Sequence, residues 1–352
     1  MVRFSDIIRG KDKKDEEKKQ PEAPRREGGF RLSDSRLYNA RNVDTSVKKE
    51  GLSRRAGIIE TGNYYSAFIE RAREIGRIVK SDMNISPASI LADMHAIIEK
   101  DIIDSLYEYA ISVKNESWDI STHTVNVMFT SLKLGKGMKY DIKMLMRLGL
   151  AAFLENVGMY KMPEDILEAK GKLSEDEKNL IKKHSETSYK ILSNLGERYE
   201  WLAETALSIH ERSDGSGYPF GLRGNDIPEL SSIIGLIDIY IAMINNRPYR
   251  DKFIQTDAIK YIVEAGKGKF PSRIIKIFLD QISLFPVNSC VRLNNGSICR
   301  VISTDRRHPL SPVVEILYDG EGRELDDRQQ INLLDNPLLY INHSINPDDL
   351  KD

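Results

Sequence analysis

The chain has 352 residues, 40% of them hydrophobic and 30% charged, with a formal net charge of −1. This composition suits a soluble globular protein with a sizeable core, and the near-neutral balance excludes a bulk electrostatic argument for nucleic acid or a membrane surface. No apolar run approaches the ~20 residues of a membrane span, and the start, M-V-R-F-S-D-I-I-R-G, lacks the long apolar stretch of a signal peptide.

The expected location is therefore cytoplasmic. The two cysteines, Cys290 and Cys299, fit a reduced protein better than a disulfide framework.

Residues 1–55 read as a disordered charged tail. The run K-D-K-K-D-E-E-K-K from Lys11 to Lys19 mixes both signs, Pro21, Pro24, Gly28 and Gly29 follow, and no apolar period develops. Residues 56–115 read as a helical N-terminal module of two helices. The first runs from about Tyr64 to Lys80, with Phe68, Ala72, Ile75 and Ile78 near helical spacing. Ser86-Pro87 supplies a cap and a first-turn proline for the second, which carries Ile90 through Tyr109.

Residues 116–285 are helix after helix. Asp119–Leu134 and Tyr140–Leu154 come first. Ser174-Glu175-Asp176-Glu177 is a capping box opening a helix to about Leu195. Trp201–Arg212, Glu229–Asn246, Thr256–Ala265 and Pro271–Leu284 complete the set, so this region is all-α. Over 286–340 the pattern changes. Val291, Leu293, Ile298, Val301 and Ile302 flank Asn294-Asn295-Gly296, a hairpin turn signal, and Val313–Tyr318 leads into Asp319-Gly320. This reads as a small antiparallel β appendage, followed by a loose, polar last dozen residues. The overall expectation is a mainly α chain.

One stretch stands out, Ile209 to Arg250. It opens on His210-Glu211, crosses Asp214-Gly215-Ser216-Gly217-Tyr218-Pro219, and closes on a helix with Asp238 and the exit Arg247-Pro248-Tyr249-Arg250. So glycine-dense a loop between two well-formed helices has a specific conformation to adopt. The plain alternative is an ordinary helix-helix turn.

The stretch resembles the signature of the HD-GYP family, H-H-E-x-x-D-G-x-G-Y-P followed by a helix with an Asp and then R-P-Y-R. The resemblance implies an HD-type helical bundle and a metal-dependent phosphohydrolase of cyclic di-GMP in bacterial second-messenger signalling. It implies metal ligands at His123, in S-T-H-T-V, and at His184, His210 and Asp238. Asp119 sits where some members add a ligand. The family pattern L-L-H-D-I-G-K-x-x-x-P meets F-L-E-N-V-G-M-Y-K-M-P, so Glu155 and Asn156 replace His and Asp, and Met159 replaces Lys. Ile209 replaces the first of the paired histidines.

Two metals need a shared anionic bridge, which neutral Asn156 supplies poorly, and His184 with His210 is too small a set for a second ion. His123, Glu155 and Asp238 are a nitrogen and two carboxylates, suited to one Mn, Fe or Zn. At most one metal per chain is expected. On the substrate side, Gly217, Tyr218 and Pro219 are intact, and Arg247 and Arg250 match positions that approach phosphate. Nine residues separate Asp238 from Arg247, about 13 Å if the helix is continuous.

Three readings follow: a weak one-metal phosphodiesterase for cyclic di-GMP or a related nucleotide; a non-catalytic domain binding nucleotide or a signalling protein; and a purely structural helical scaffold. The intact loop and the surviving ligand positions argue against the third.

Overall fold

The computed structural model describes residues 45–113, 119–167, 169, 171, 174–245, 253–305 and 307–345, with only the backbone described over 45–59. The chain divides into two units, 1–52 and 53–352. Of the first, the description covers helical backbone from Thr45 onward.

The expected disordered tail over 1–55 is corrected at its end. Helix α1 spans Thr45–Lys80, so 45–55 are helical; residues 1–44 lie outside the described residues. The single second helix expected through Ile90–Tyr109 is two, α2 (Pro87–Glu99) and α3 (Ile103–Ser112). Apolar periodicity continues across the break, but Asp101 takes φ 53° and ends the first helix there. These helices share one hydrophobic core with those that follow, since Phe68, Ile75, Met94 and Leu106 pack in the same cluster as Phe129, Leu148 and Ile237.

Helix α4 (Ile120–Gly137) is the axis of the bundle, buried from Ser121 to Gly135. Two of its buried polar groups are satisfied from outside: Tyr65 Oη donates to Asn126 Oδ1 at 2.9 Å, and Lys133 Nζ pairs with Asp104. Asp119 caps this helix, accepting from Ser121 N and Thr122 Oγ1, both at 3.1 Å. It does so beside Arg73 at 3.5 Å, a capping role not assigned to it from the sequence.

Helix α5 (Ile142–Leu154) leads through a 3-10 turn, Val157–Lys161, to the short α6 (Glu164–Leu167). The Ser174 capping box forms as expected, but its helix is divided into α7 (Glu175–Lys182) and α8 (His184–Ser193). Helices α9 (Glu200–Ser208), α10 (Glu229–Ile244), α11 (Gln255–Ala265) and α12 (Ser272–Gln281) complete the bundle. Because α10 ends at Ile244, the continuous helix from Asp238 to Arg247 does not form.

The appendage is a five-stranded antiparallel sheet in the order β4-β3-β2-β1-β5. Its strands are β1 (Cys290–Leu293), β2 (Ile298–Ser303), β3 (Val313–Tyr318), β4 (Gln330–Asn332) and β5 (Ile341–Ile345). The β1–β2 turn is the Asn294-Asn295-Gly296 expected, with Gly296 at φ 90°. Strand β5 corrects the loose C-terminal end: residues 341–345 pair with β1, and 346–352 lie outside the described residues. Both cysteines are buried.

Candidate metal centre and its glycine-rich loop

Two glycines let the site-bearing segments approach. A Cβ on Gly158 would lie 2.2 Å from the His184 carbonyl oxygen, so only glycine admits the turn after Glu155-Asn156 against the start of α8. A Cβ on Gly235 would lie 2.1 Å from the Ile209 oxygen, and this brings α10, with Asp238 one turn later, against the end of α9. Ser188 completes the first contact, accepting from Gly158 N at 2.9 Å and donating to the Glu155 carbonyl at 2.8 Å.

His123, Glu155 and Asp238 thereby converge. Each offers one ligand atom, and those atoms lie within 4.8 Å of one another. His123 Nε2 meets Asp238 Oδ1 at 2.8 Å, across 115 residues of sequence. One imidazole nitrogen and two carboxylates at this spacing fit a divalent cation with ligand distances near 2.0–2.2 Å. His123 and Glu155 are buried and Asp238 nearly so, with its side chain 14% exposed. Asn156 is beside the cluster rather than in it: its Nδ2 donates to Glu155 Oε1 at 2.6 Å, orienting that carboxylate.

His184 and His210 form a neighbouring pair, with Nε2 atoms 2.9 Å apart. His184 Nδ1 lies 2.7 Å from the Ile181 carbonyl and must donate to it, so His184 Nε2 accepts and His210 Nε2–H donates. This is a neutral tautomer pair. Burial, opposed by the Ile181 hydrogen bond, pushes His184 below the ordinary histidine range. Burial and then the nearby His184 hold His210 at about 3. Ile209 is 1% exposed and packs in the apolar core, and Met159 is likewise buried.

The loop that follows is built on Glu211, which opens the stretch in the sequence but has no role assigned to it there. Its carboxylate is buried, and its two oxygens accept from Phe220 N at 2.7 Å and Leu222 N at 2.9 Å. The glutamate of the signature H-H-E-x-x-D-G falls on Glu211, but its role is not readable from sequence, because the partners are main-chain amides that every residue but proline carries. Gly217 is required where it sits, since a Cβ would lie 2.4 Å from Arg212 N and from Glu211 Cα. Tyr218 stacks on His210, with centroids 4.8 Å apart, and Tyr218–Pro219 is a cis peptide. Arg212 Nη1 donates to the Ile209 and Glu211 carbonyls at 2.9 and 2.7 Å, locking the exit of α9.

Of the expected site residues, His123, Glu155 and Asp238 are brought together, His184 and His210 pair beside them, and Tyr218, between Gly217 and Pro219, stacks on His210. Arg247 and Arg250 lie outside the described residues. A cavity of about 140 Å³ lies elsewhere, between the helical body and the sheet, lined by residues such as Ile244, Phe253, Leu284 and Cys290.

The fold and the site define an HD-type helical domain with a candidate metal centre, joined to a small β domain. Residues 100–274 match the model of the HD domain, and residues 290–352 that of a KOW domain associated with the HD domain. The chain belongs to the HD domain family, in its HD-GYP branch.

It is 28% identical over 211 residues to a cyclic di-GMP phosphodiesterase, PA4108, of Pseudomonas aeruginosa, covering 60% of this chain and 51% of the relative. It is 29% identical over 232 residues to the cyclic di-GMP phosphodiesterase PdeB of Borreliella burgdorferi, covering 65% and 60%. The chain thus spans between half and three fifths of the length of these two curated relatives. The fold is similar to that of Bd1817, an HDG"Y"P protein from Bdellovibrio bacteriovorus, with TM-score 0.53 at 18% identity, over 64% of this chain and 72% of that one.

Proposed function

We propose that this chain is a cytoplasmic cyclic di-GMP phosphodiesterase-related protein of bacterial second-messenger signalling, holding at most one divalent metal and hydrolysing its nucleotide weakly or not at all. The observation that carries the reading is the His123, Glu155 and Asp238 cluster, with ligand atoms within 4.8 Å, beside an intact G-Y-P loop. Among the described residues no helix is long and apolar enough to cross a membrane.

His123, Glu155 and Asp238 would hold the ion, whether Mn, Fe or Zn, and a bound ion there supplies Lewis acidity toward a phosphoryl oxygen. The protein's own part is positional. Asn156 fixes the Glu155 carboxylate, Gly158 and Gly235 set the approach of the ligand-bearing segments, and Glu211 holds the loop beside His210. Arg247 and Arg250 are proposed to reach phosphate.

A second reading, a non-catalytic scaffold for a nucleotide or a signalling protein, is favoured by one specific observation. Asn156, Met159 and Ile209 stand where the family pattern has Asp, Lys and His, so the groups that would bridge a second ion, contact phosphate and complete the histidine pair are missing.

Elemental analysis of metal-reconstituted protein, run beside a cyclic di-GMP hydrolysis assay, tests the proposal. At most one ion per chain and slow or undetectable turnover are expected. Two tightly held ions per chain, or fast turnover abolished by His123→Ala, would overturn the weak-catalysis reading.

A further inference from the structure

The glycine-rich loop carries two aromatic rings with opposite fates. The Tyr218 ring is engaged: it stacks on His210 with planes 13° apart, and Lys182 Nζ lies over it at 5.7 Å. The Phe220 ring, two residues on, is in solvent, with the residue 66% exposed. A phenyl group on a slack loop is free to fold back and lose its contact with water. The Phe220 backbone is not slack.

Its N–H is bound to the buried Glu211 carboxylate at 2.7 Å, and the next anchor, Leu222 N, is bound at 2.9 Å. The two ends of the loop are tied by Gly224 N to Ser213 O at 3.1 Å and by the Asp214–Arg223 bridge. The molecule therefore holds an aromatic face in water on a fixed backbone, close in sequence to the ring that stacks on His210.

What fits that face follows from its surroundings. Protein partners anchor on rings set in apolar patches. Around Phe220 the loop carries Ser216, Gly217, Gly221 and Arg223, and its apolar neighbours Tyr218, Pro219 and Leu222 are half-buried, so Phe220 is not part of an exposed apolar patch there. A lone exposed planar ring suits another planar ring, and every nucleobase has a π face. We propose that Phe220 is the base-stacking residue of the nucleotide site, on which a purine of the ligand lies flat while Glu211 holds the platform in place. The inference rests on the nucleotide reading above and adds the residue that receives the base.

Calorimetric titration of the full chain with cyclic di-GMP in the presence of Mn²⁺, for the unaltered protein, Phe220→Ala and Phe220→Trp, tests it. Phe220→Ala should weaken binding by about ten-fold or more, the scale of one base–aromatic stack. Its melting temperature should be unaltered, because the ring lies outside the core. Phe220→Trp should keep the affinity and gain a quench of indole emission on saturation that the unaltered protein does not show. If the unaltered protein binds and Phe220→Ala binds equally well, or Phe220→Trp binds without added quenching, the stacking role is refuted while the nucleotide reading stands. If the unaltered protein binds neither cyclic di-GMP nor GMP, both fall, and a protein partner becomes the better reading.

Discussion

Removing the Glu211 carboxylate should release the glycine-rich loop while leaving the helical bundle folded. The side chain is 1% exposed and makes two charge-assisted bonds to main-chain amides, at 2.7 Å to Phe220 and 2.9 Å to Leu222. Each such bond contributes about 1.5–3 kcal/mol, so the gross loss on Glu211→Ala is about 3–6 kcal/mol. Two effects reduce it: the cost of burying a carboxylate disappears, and the freed amides, being part-buried, recover water. A net local loss of about 2–3 kcal/mol remains, equivalent to roughly thirty- to 150-fold more frequent opening.

Glu211→Gln keeps one acceptor but turns an NH₂ toward the other amide, so about half that loss is expected. Hydrogen exchange read at the Phe220 and Leu222 amides measures the opening directly, with circular dichroism reporting the bundle. If both amides exchange at the unaltered rate in Glu211→Ala while the bundle stays helical, the loop is held by other ties. The Asp214–Arg223 bridge and the Ser213 N to Lys269 O bond at 2.9 Å would then be the ones to examine.

Restoring the family pattern should act as a unit. Glu155→His, Asn156→Asp, Met159→Lys and Ile209→His together are expected to raise cyclic di-GMP hydrolysis by about ten-fold or more, while Ile209→His alone lowers the melting temperature by placing an imidazole in the core; a single change that recovers the full rate would refute this. Chelator-treated protein should lose stability in acid. Because His210 is held at about 3 against an ordinary 6.5, the unfolded state takes up a proton that the folded state resists. Its contribution is intact above pH 6.5 and falls through the window from 6.5 to 3, by up to about 1.4 kcal/mol per pH unit. Urea unfolding at pH 7.5 and at pH 5 should show a smaller difference for His210→Gln, and an equal difference would count against the buried neutral pair. Arg247→Ala should weaken cyclic di-GMP binding by roughly ten-fold or more if that side chain contacts phosphate, and unchanged calorimetry would remove it from the site.

The fold class was legible in the sequence because its signals are local. Helical periodicity, the Ser174–Glu177 capping box and the Asn294-Asn295-Gly296 turn each depend on residues a few positions apart, and each formed. The breaks at Asp101 and Lys183 were not legible, since the apolar period runs through both while the backbone turns. Matching positions to a family motif placed His123, Glu155 and Asp238 as candidate ligands, but only the fold made them neighbours, through contacts that span 115 residues.

Only the tertiary structure decided that Asn156 serves Glu155, that His184 and His210 bond each other, and that Glu211 holds the loop by its amides. The physical reason is the same in each case. A side chain's type fixes which bonds it is able to make, whereas the partner it meets depends on how closely the segments approach, which Gly158 and Gly235 allow at the ligand-bearing helices and Gly217 at the loop.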